Sequence, residues 1–347
     1  MEINENVFRV LSACAISINF LLIILILRKS PKSLGSYKYL MLYINLFEFT
    51  YAILYCIEKP DLFTKGSAFF LIANFKQSIF PKLMACCSVL FYGGFYGITL
   101  AILALHFIYR FLSITNNRHL NSFNSWKIIL WFMGPPISGI IFMLTGAFIM
   151  SSNGDSDRFL SENYPTLLGN ETKIEDLYYV GPFFWPKYNN FTTDQYFNWR
   201  TAGGAMIVMG LISLSIAIMV YFGVKGYRSM NKLIAQSNSS QKFRSVQKQL
   251  FNALVLQTFI PVLLMHIPAS AIYFTIFFDK CTEYLGKIFT LTVAMYPTFN
   301  PLPTIFIVKN YRNALKDSLI CVEDAVLRRS RTVHPSSTAY SVNTQVS

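Results

Sequence analysis

Charge is scarce in this chain. Of its 347 residues only 14% are Asp, Glu, Lys or Arg, whereas 53% are hydrophobic and 32 are Phe. Soluble domains carry roughly a quarter charged residues, so this composition excludes a water-soluble enzyme. Other signatures are missing as well: a Gly-rich phosphate loop, metal-ligand spacing among the four His, a nucleophile motif and transporter-like internal repeats. The sequence therefore points to no enzymatic activity, cofactor, metal or nucleic-acid partner.

What replaces charge is a set of seven long apolar runs, at residues 7–27, 39–57, 83–109, 126–150, 201–224, 250–278 and 284–308. A helix rises 1.5 Å per residue, so about 20 residues cross a hydrocarbon core of roughly 30 Å. Backbone in lipid must bond to itself, and the runs lack the period-two alternation of barrel strands, so each is expected to be a helix. The expected fold is an all-α membrane protein, a seven-transmembrane helix bundle. Residues 1–6 precede it, 151–200 form a long loop, 309–327 an amphipathic juxtamembrane helix and 328–347 a disordered tail. Ala13-Cys14-Ala15 resembles a cleavage site, but the long apolar run follows it and the leader carries Glu2 and Glu5. The first helix is read as uncleaved.

Charge of one sign is nearly absent from one side. With the N-terminus outside, the inner segments 28–38, 110–127, 225–249 and 309–347 hold 19 Lys and Arg and three acids, and the outer segments hold 11 and 13. The positive-inside rule then favours N-terminus out, C-terminus in. Two sequons, at Asn170 and Asn190, place the long loop outside as expected glycosylation sites, while a third at Asn238 falls inside and is read as chance. The basic inner face suits anionic membrane lipid and an intracellular protein partner. Its candidate contacts are Arg110, Lys225, Arg228, Lys242, Arg244 and Lys248. Arg110 either snorkels at the end of the third helix or grips that partner, and no carboxylate at the foot of the sixth helix can pair with it.

Cysteine is equally sparing. Six are present and none lies in the 151–200 loop. Cys56, Cys86, Cys87 and Cys281 lie near outer helix ends, where a bridge or free thiols are both open readings, and Cys321 is a palmitoylation candidate. Polar residues inside the spans are few. Asn19, Glu48 and Asn300 fall nine or ten residues from inner basic residues, hence at one depth near mid-membrane. With Pro301 they form a candidate intramembrane switch, since an ionisable group at that depth is costly unless paired or protonated and is a functional candidate by default. Pro261, Pro268, Pro297, Pro301 and Pro303 each remove a backbone donor and mark where helices can bend. Gly93 and Gly97 offer a small-residue packing face.

Four stretches carry a family resemblance: GSYKYLMLYINLFEFTYAI (35–53), HFIYRF (106–111), QTFIPVLLMHIP (257–268) and YPTFNPLPTIFIVKNYR (296–312). Together they resemble the Str family of nematode seven-transmembrane chemoreceptors. The resemblance implies a G-protein-coupled chemosensory receptor of odorant type in the plasma membrane of sensory cilia, coupled to a heterotrimeric G protein. Kinases and arrestin would act at the Ser/Thr-rich tail. The same residues look like a diverged rhodopsin-type pattern, with Arg110 at the arginine of the Asp/Glu-Arg-Tyr motif and Asn300-Pro301 at Asn-Pro-x-x-Tyr. Tyr109 precedes Arg110 where that motif has an acid, so the resemblance does not carry over the usual restraint on the inactive state. The third-helix-to-loop disulfide is missing too, and the Glu48 region is analogous to those receptors' sodium site. A seven-span channel and a transporter are the competing classes. The charge count opposes the first, and the single mid-depth charge opposes the second.

The outer halves of the second, third, fifth, sixth and seventh helices lack Asp and Glu, and also Lys and Arg apart from Lys287 near the outer end of the seventh. A cationic ligand would find no counter-ion there. Candidate ligand contacts are Phe91, Tyr92, Phe95, Met265, His266, Tyr273, Phe289, Thr292, Met295 and Tyr296, with His266 as the polar anchor. This lining suits a small neutral, volatile ligand such as a ketone, alcohol or ester.

Overall fold

Because each apolar run satisfies its own backbone and only sparse polar residues interrupt it, the chain folds as an up-and-down bundle of long helices. The computed structural model describes residues 5–31, 34–57, 60–164, 173–187, 194–235, 241–318 and 320. Its spans are Glu5–Lys29, Tyr37–Ile57, Lys82–Ile114, Ile128–Leu144 with a wider turn over Thr145–Ile149, and Trp199–Ala235. The sixth runs through Gln241–Pro261, a wide turn at Val262–His266 and Ile267–Phe277, and the seventh through Glu283–Phe299 and Leu302–Ile307. Six are long and apolar enough to cross a membrane alone, and the seventh does so together with Lys309–Ser318, which bends away by 96°.

Several expected boundaries move. The third span runs on to Ile114, the fifth to Ala235, and the sixth begins at Gln241. Lipid sets only where the apolar run ends; the helical turns beyond it bond internally and carry on into water. The basic segment between spans five and six is thus mostly helical, with its charges riding on two extensions. The wide turn after Pro261 and the break at Asn300-Pro301 are where the missing proline donors interrupt the ladder. Lys309–Ser318 lies where the amphipathic segment was expected. The rest of 309–327, Cys321 included and Ile320 excepted, and the 328–347 tail lie outside the described residues, as do Asn170 and Asn190.

The end of the bundle opposite the basic segments carries a sheet that the sequence did not suggest. Strands β1 (Asp61–Lys65) and β2 (Ala68–Asn74) pair antiparallel through the turn Gly66-Ser67, and β3 (Leu177–Val180) from the long loop pairs with β2. Gly66 has φ +57°, the left-handed conformation that a two-residue hairpin turn demands. The sheet is tied down on three sides. Gly66 exchanges both backbone bonds with Cys281, the Thr64 hydroxyl donates to the Thr282 carbonyl at 2.9 Å, and Gly181 N–H donates to the Met150 carbonyl at 2.9 Å. A short helix, Gly154–Asn163, packs against it through Leu160 and Tyr164. The five described cysteines are all free, and Cys281 is buried.

Helices three and four meet on glycine, though not at the pair expected. A Cβ on Gly97 would lie 2.5 Å from the Phe142 ring, and one on Gly139 2.3 Å from Ile98. A Cβ on Gly94 would meet Met143 and the Gly139 carbonyl of the fourth helix at 3.0 and 3.1 Å, whereas Gly93 faces open space. The packing face is therefore Gly94, Gly97 and Gly139, because positions three and four apart share a helix side. Gly139→Leu should destabilise the detergent-solubilised protein by roughly 1–3 kcal/mol, the usual penalty of overpacking, and Gly93→Ala should not. Thermal unfolding of the two variants checks this.

Candidate functional site

Three polar or aromatic features follow one another down the bundle. The first is a cavity of about 280 Å³ under the sheet. Its walls come from the second, third, fifth, sixth and seventh spans with Phe142, Gly146 and Met150 of the fourth, and its ceiling from Phe69, Leu71 and Val180–Pro182. A Cβ on Gly181 would sit 2.0 Å from the Phe69 carbonyl oxygen, so glycine lets the two loop strands close over the space. Six of the expected contacts line it: Tyr92, Phe95, Met265, His266, Tyr273 and Phe289.

Four others do not, and helix geometry gives the reason. At 100° per residue Phe289, Thr290 and Val293 share the cavity face of the seventh span, while Thr292 and Met295 turn away from it. Tyr296 lies on the right face but one turn too deep, fully buried below the cavity. Phe91 packs on Phe47 at 6.1 Å between centroids. Conversely, Tyr51, Tyr55 and Tyr96 line the space and were missed. Tyr96 was findable, one helical turn after Tyr92.

Tyr96 and His266 share a short hydrogen bond between the phenol and Nδ1, with their rings edge-on at 4.8 Å. The remaining ring nitrogen, Nε2, is buried without a partner. With the phenol donating to Nδ1 the ring proton sits on Nε2, an unfilled donor on a cavity residue; with Nδ1–H donating to the phenol, Nε2 is an unfilled acceptor.

The floor of the cavity is aromatic. Tyr51 stacks on Phe95 at 3.7 Å, and Phe95 meets Tyr296 edge-on at 5.9 Å. Tyr296 begins the second feature, a polar knot. Glu48, 1% exposed, accepts at Oε1 from the Tyr296 hydroxyl at 2.8 Å and from Asn300 Nδ2 at 2.5 Å, and its Oε2 has no partner. No cation meets this carboxyl among the described residues. Pro301 has no N–H, so the Pro297 carbonyl one turn earlier loses its helical donor. Asn19 supplies the replacement, Nδ2 donating to that carbonyl at 2.8 Å. Gln257 of the sixth span donates to the Asn300 carbonyl at 3.2 Å. Asn19, Glu48 and Asn300 thus share a layer, but Asn19 reaches the seventh span through the backbone and not through Glu48.

The third feature is Arg110, which neither snorkels nor lies open. It is 1% exposed, its guanidinium carbon sits 3.2 Å over the Tyr37 ring, and Nη1 donates to Gln247 Oε1 at 3.0 Å. Gln247, on the sixth span, also reaches the Ser113 hydroxyl at 3.4 Å. A neutral amide therefore occupies the place where an acid was sought and not found. Two other guanidinium nitrogens, Nε and Nη2, are buried without partners. Tyr37 is held in turn by His106: its hydroxyl meets Nδ1 at 3.0 Å while Nε2 meets the Leu40 carbonyl at 3.2 Å, an arrangement that makes Nε2 the donor. Of the other basic candidates, Lys225, Arg228 and Lys248 are exposed, Arg244 is partly buried, and the Lys242 side chain lies outside the described residues.

A seven-span bundle with a roofed apolar cavity above a buried arginine is the architecture of a serpentine receptor. The family model for the serpentine type 7TM GPCR chemoreceptor Str matches residues 4–316, and the chain belongs to that family. It is 31% identical over 313 residues to the G-protein coupled receptor str-217 of Caenorhabditis elegans, covering 90% of this chain and 88% of the relative. Serpentine receptor class r-10 of the same nematode is 26% identical over 305 residues, with 87% and 86% covered. The protein is a multi-pass membrane protein of a GPCR-type chemoreceptor family.

Because Glu48 and Asn300 bond directly, their replacements should not act independently. In a double-mutant cycle of Glu48→Gln and Asn300→Ala, melting in detergent should show a coupling of roughly 0.5–3 kcal/mol. Additive effects would mean that the bond contributes nothing.

Proposed function

We propose that this receptor holds a small neutral molecule in the roofed cavity and, through the basic end of the bundle, activates a heterotrimeric G protein. The observation that carries the reading is the cavity's lining: among the described residues aromatic and apolar side chains surround it and no Asp, Glu, Lys or Arg does, and one histidine offers an unpartnered nitrogen. A charged ligand would lose its hydration without compensation, whereas a ketone, ester or alcohol oxygen would accept from Nε2 and leave the rest to apolar contact. The one-sided distribution of basic residues and the sequons support an orientation with the sheet outside and Arg110 inside. The plasma membrane of a sensory cilium is the fitting location. The tail would serve kinases and arrestin, and Cys321 a palmitoyl anchor.

In this reading the contact of Arg110 with Gln247 is the resting latch between the third and sixth spans. Opening it would release a guanidinium able to bond carbonyls at a G-protein helix end, with Lys225, Arg228, Lys242, Arg244 and Lys248 adding electrostatic attraction. Gln247→Ala should therefore raise ligand-free nucleotide exchange on a co-reconstituted G protein, while Arg110→Ala abolishes it without reducing surface expression. His266→Phe should raise the half-maximal concentration of an oxygen-bearing agonist by about 2–10-fold, the worth of one neutral hydrogen bond. Normal exchange by Arg110→Ala, or saturable activation by a quaternary amine within the bundle, would contradict the reading.

A further inference from the structure

The roof raises a question of access. The sheet is bonded to the ends of the fourth and sixth spans and to the segment before the seventh, with Trp185 Nε1 donating to the Phe277 carbonyl at 2.7 Å in addition to the contacts at Cys281, Thr282 and Met150. A molecule entering from the sheet end would have to break several of these bonds together. A second, more polar cavity of about the same volume, beside Phe8, Arg9 and Asp61, shares only Tyr55 and Pro60 with the main one.

The side wall is different. Met209, Ser213 and Ile216 of the fifth span and Ser270 of the sixth line the cavity and are exposed, whereas Tyr92, Phe95 and Met265, which line it too, are buried, so the exposure of the four comes from beyond the enclosed part of the cavity. Positions 209, 213 and 216 are four and three residues apart, hence one stripe of one helix. Wall residues exposed on the outside mean that the wall is one side chain thick, or open, along that stripe. The residues beside it, Leu214, Ile267 and Phe274 among them, are large, apolar and exposed, which in a membrane protein is the surface that meets lipid. Small side chains keep the seam clear: two of the four are serine, and a Cβ added at Gly210 would touch nothing within 4 Å. Toward the basic end the same two helices close, with a Cβ on Gly226 3.0 Å from the Phe251 ring.

We infer that the cavity is entered laterally from the bilayer, through a window between the outer halves of the fifth and sixth spans, by neutral molecules that first partition into lipid. The inference rests on the ligand reading above and narrows it: water solubility ceases to matter, and the concentration that counts is that in the membrane. Neutral solutes gain about 0.8 kcal/mol per CH₂ on leaving water, so partition alone would rank members of a homologous series.

Benzophenone, a neutral aromatic ketone that on illumination inserts into nearby C–H bonds, tests the window without any G protein. The full chain is reconstituted in liposomes preloaded with benzophenone, and adducts are mapped by mass spectrometry. Wild type should be labelled on cavity residues Tyr92 and Met265 as well as on lipid-facing Phe274. In Ser213→Phe/Ser270→Phe the cavity adducts should form about tenfold more slowly, within the range over which access changes association rates, while Phe274 is labelled as before. The alanine pair at the same sites should behave as wild type, and retained Phe274 labelling reports a folded bundle. Unchanged cavity labelling in the phenylalanine pair, or no cavity labelling in wild type, would overturn lateral entry. Neither result depends on signalling, so a failure of G-protein coupling would be seen separately in the exchange assay.

Discussion

The structure turns on a single carboxyl group placed where lipid-embedded proteins rarely tolerate one. Glu48 is buried at mid-bundle with no cation beside it among the described residues, and a carboxyl so placed takes its stabilisation from hydrogen bonds. Tyr296 and Asn300 supply two, both to Oε1. Because those donors sit one turn apart on the seventh span, Glu48 fixes that helix against the second in rotation and height. Around it open carbonyls of the seventh span are bonded from other helices: Asn19 at the Pro297 carbonyl that Pro301 leaves without a donor, Gln257 at the Asn300 carbonyl. Four spans are thus joined at one depth, next to the break of the seventh span at Asn300-Pro301.

This knot lies between the cavity and the buried arginine and touches the route to both. Upward, Tyr296 supports Phe95, on which Tyr51 stacks to make the cavity floor. Downward, the sixth span carries His266, Gln257 and Gln247, nine and ten residues apart, which spaces cavity, knot and latch by about 14–15 Å along one helix. A wide turn interrupts that helix at Val262–His266, directly beside the histidine. Such turns let a helix change its rotation at little cost, so a ligand bonded to His266 would bear on the one helix that also holds the knot and Gln247.

Sequence alone carried the bundle and the depth of the polar layer, because hydrophobic length and the distance to flanking charge are local properties. It failed where partners come from far along the chain. Gln247 was invisible as the partner of Arg110 since the search was for an acid, and an amide does not stand out among the polar residues of a basic loop. The choice of Thr292 and Met295 over Tyr96 reflects helix rotation, which a list of aromatic and polar residues in the right half of a span does not resolve. The hairpin left a trace that a membrane reading passes over: Gly66-Ser67 flanked by Leu-Phe-Thr and Phe-Phe-Leu-Ile is the pattern of a two-residue turn between strands. Its third strand, more than a hundred residues away, left none.

The most direct test of the link between knot and latch is the distance between the basic ends of the third and sixth spans. Spin labels at Thr115→Cys and Ser245→Cys, both exposed, on a background without native cysteines, would report it by pulsed electron resonance in nanodiscs. If the Glu48 knot holds the sixth span against Arg110, Glu48→Ala should shift part of the distance distribution outward without any ligand, as Gln247→Ala does. A distribution in Glu48→Ala that coincides with wild type, while Gln247→Ala moves, would contradict the link and leave the knot as a local brace of the seventh helix.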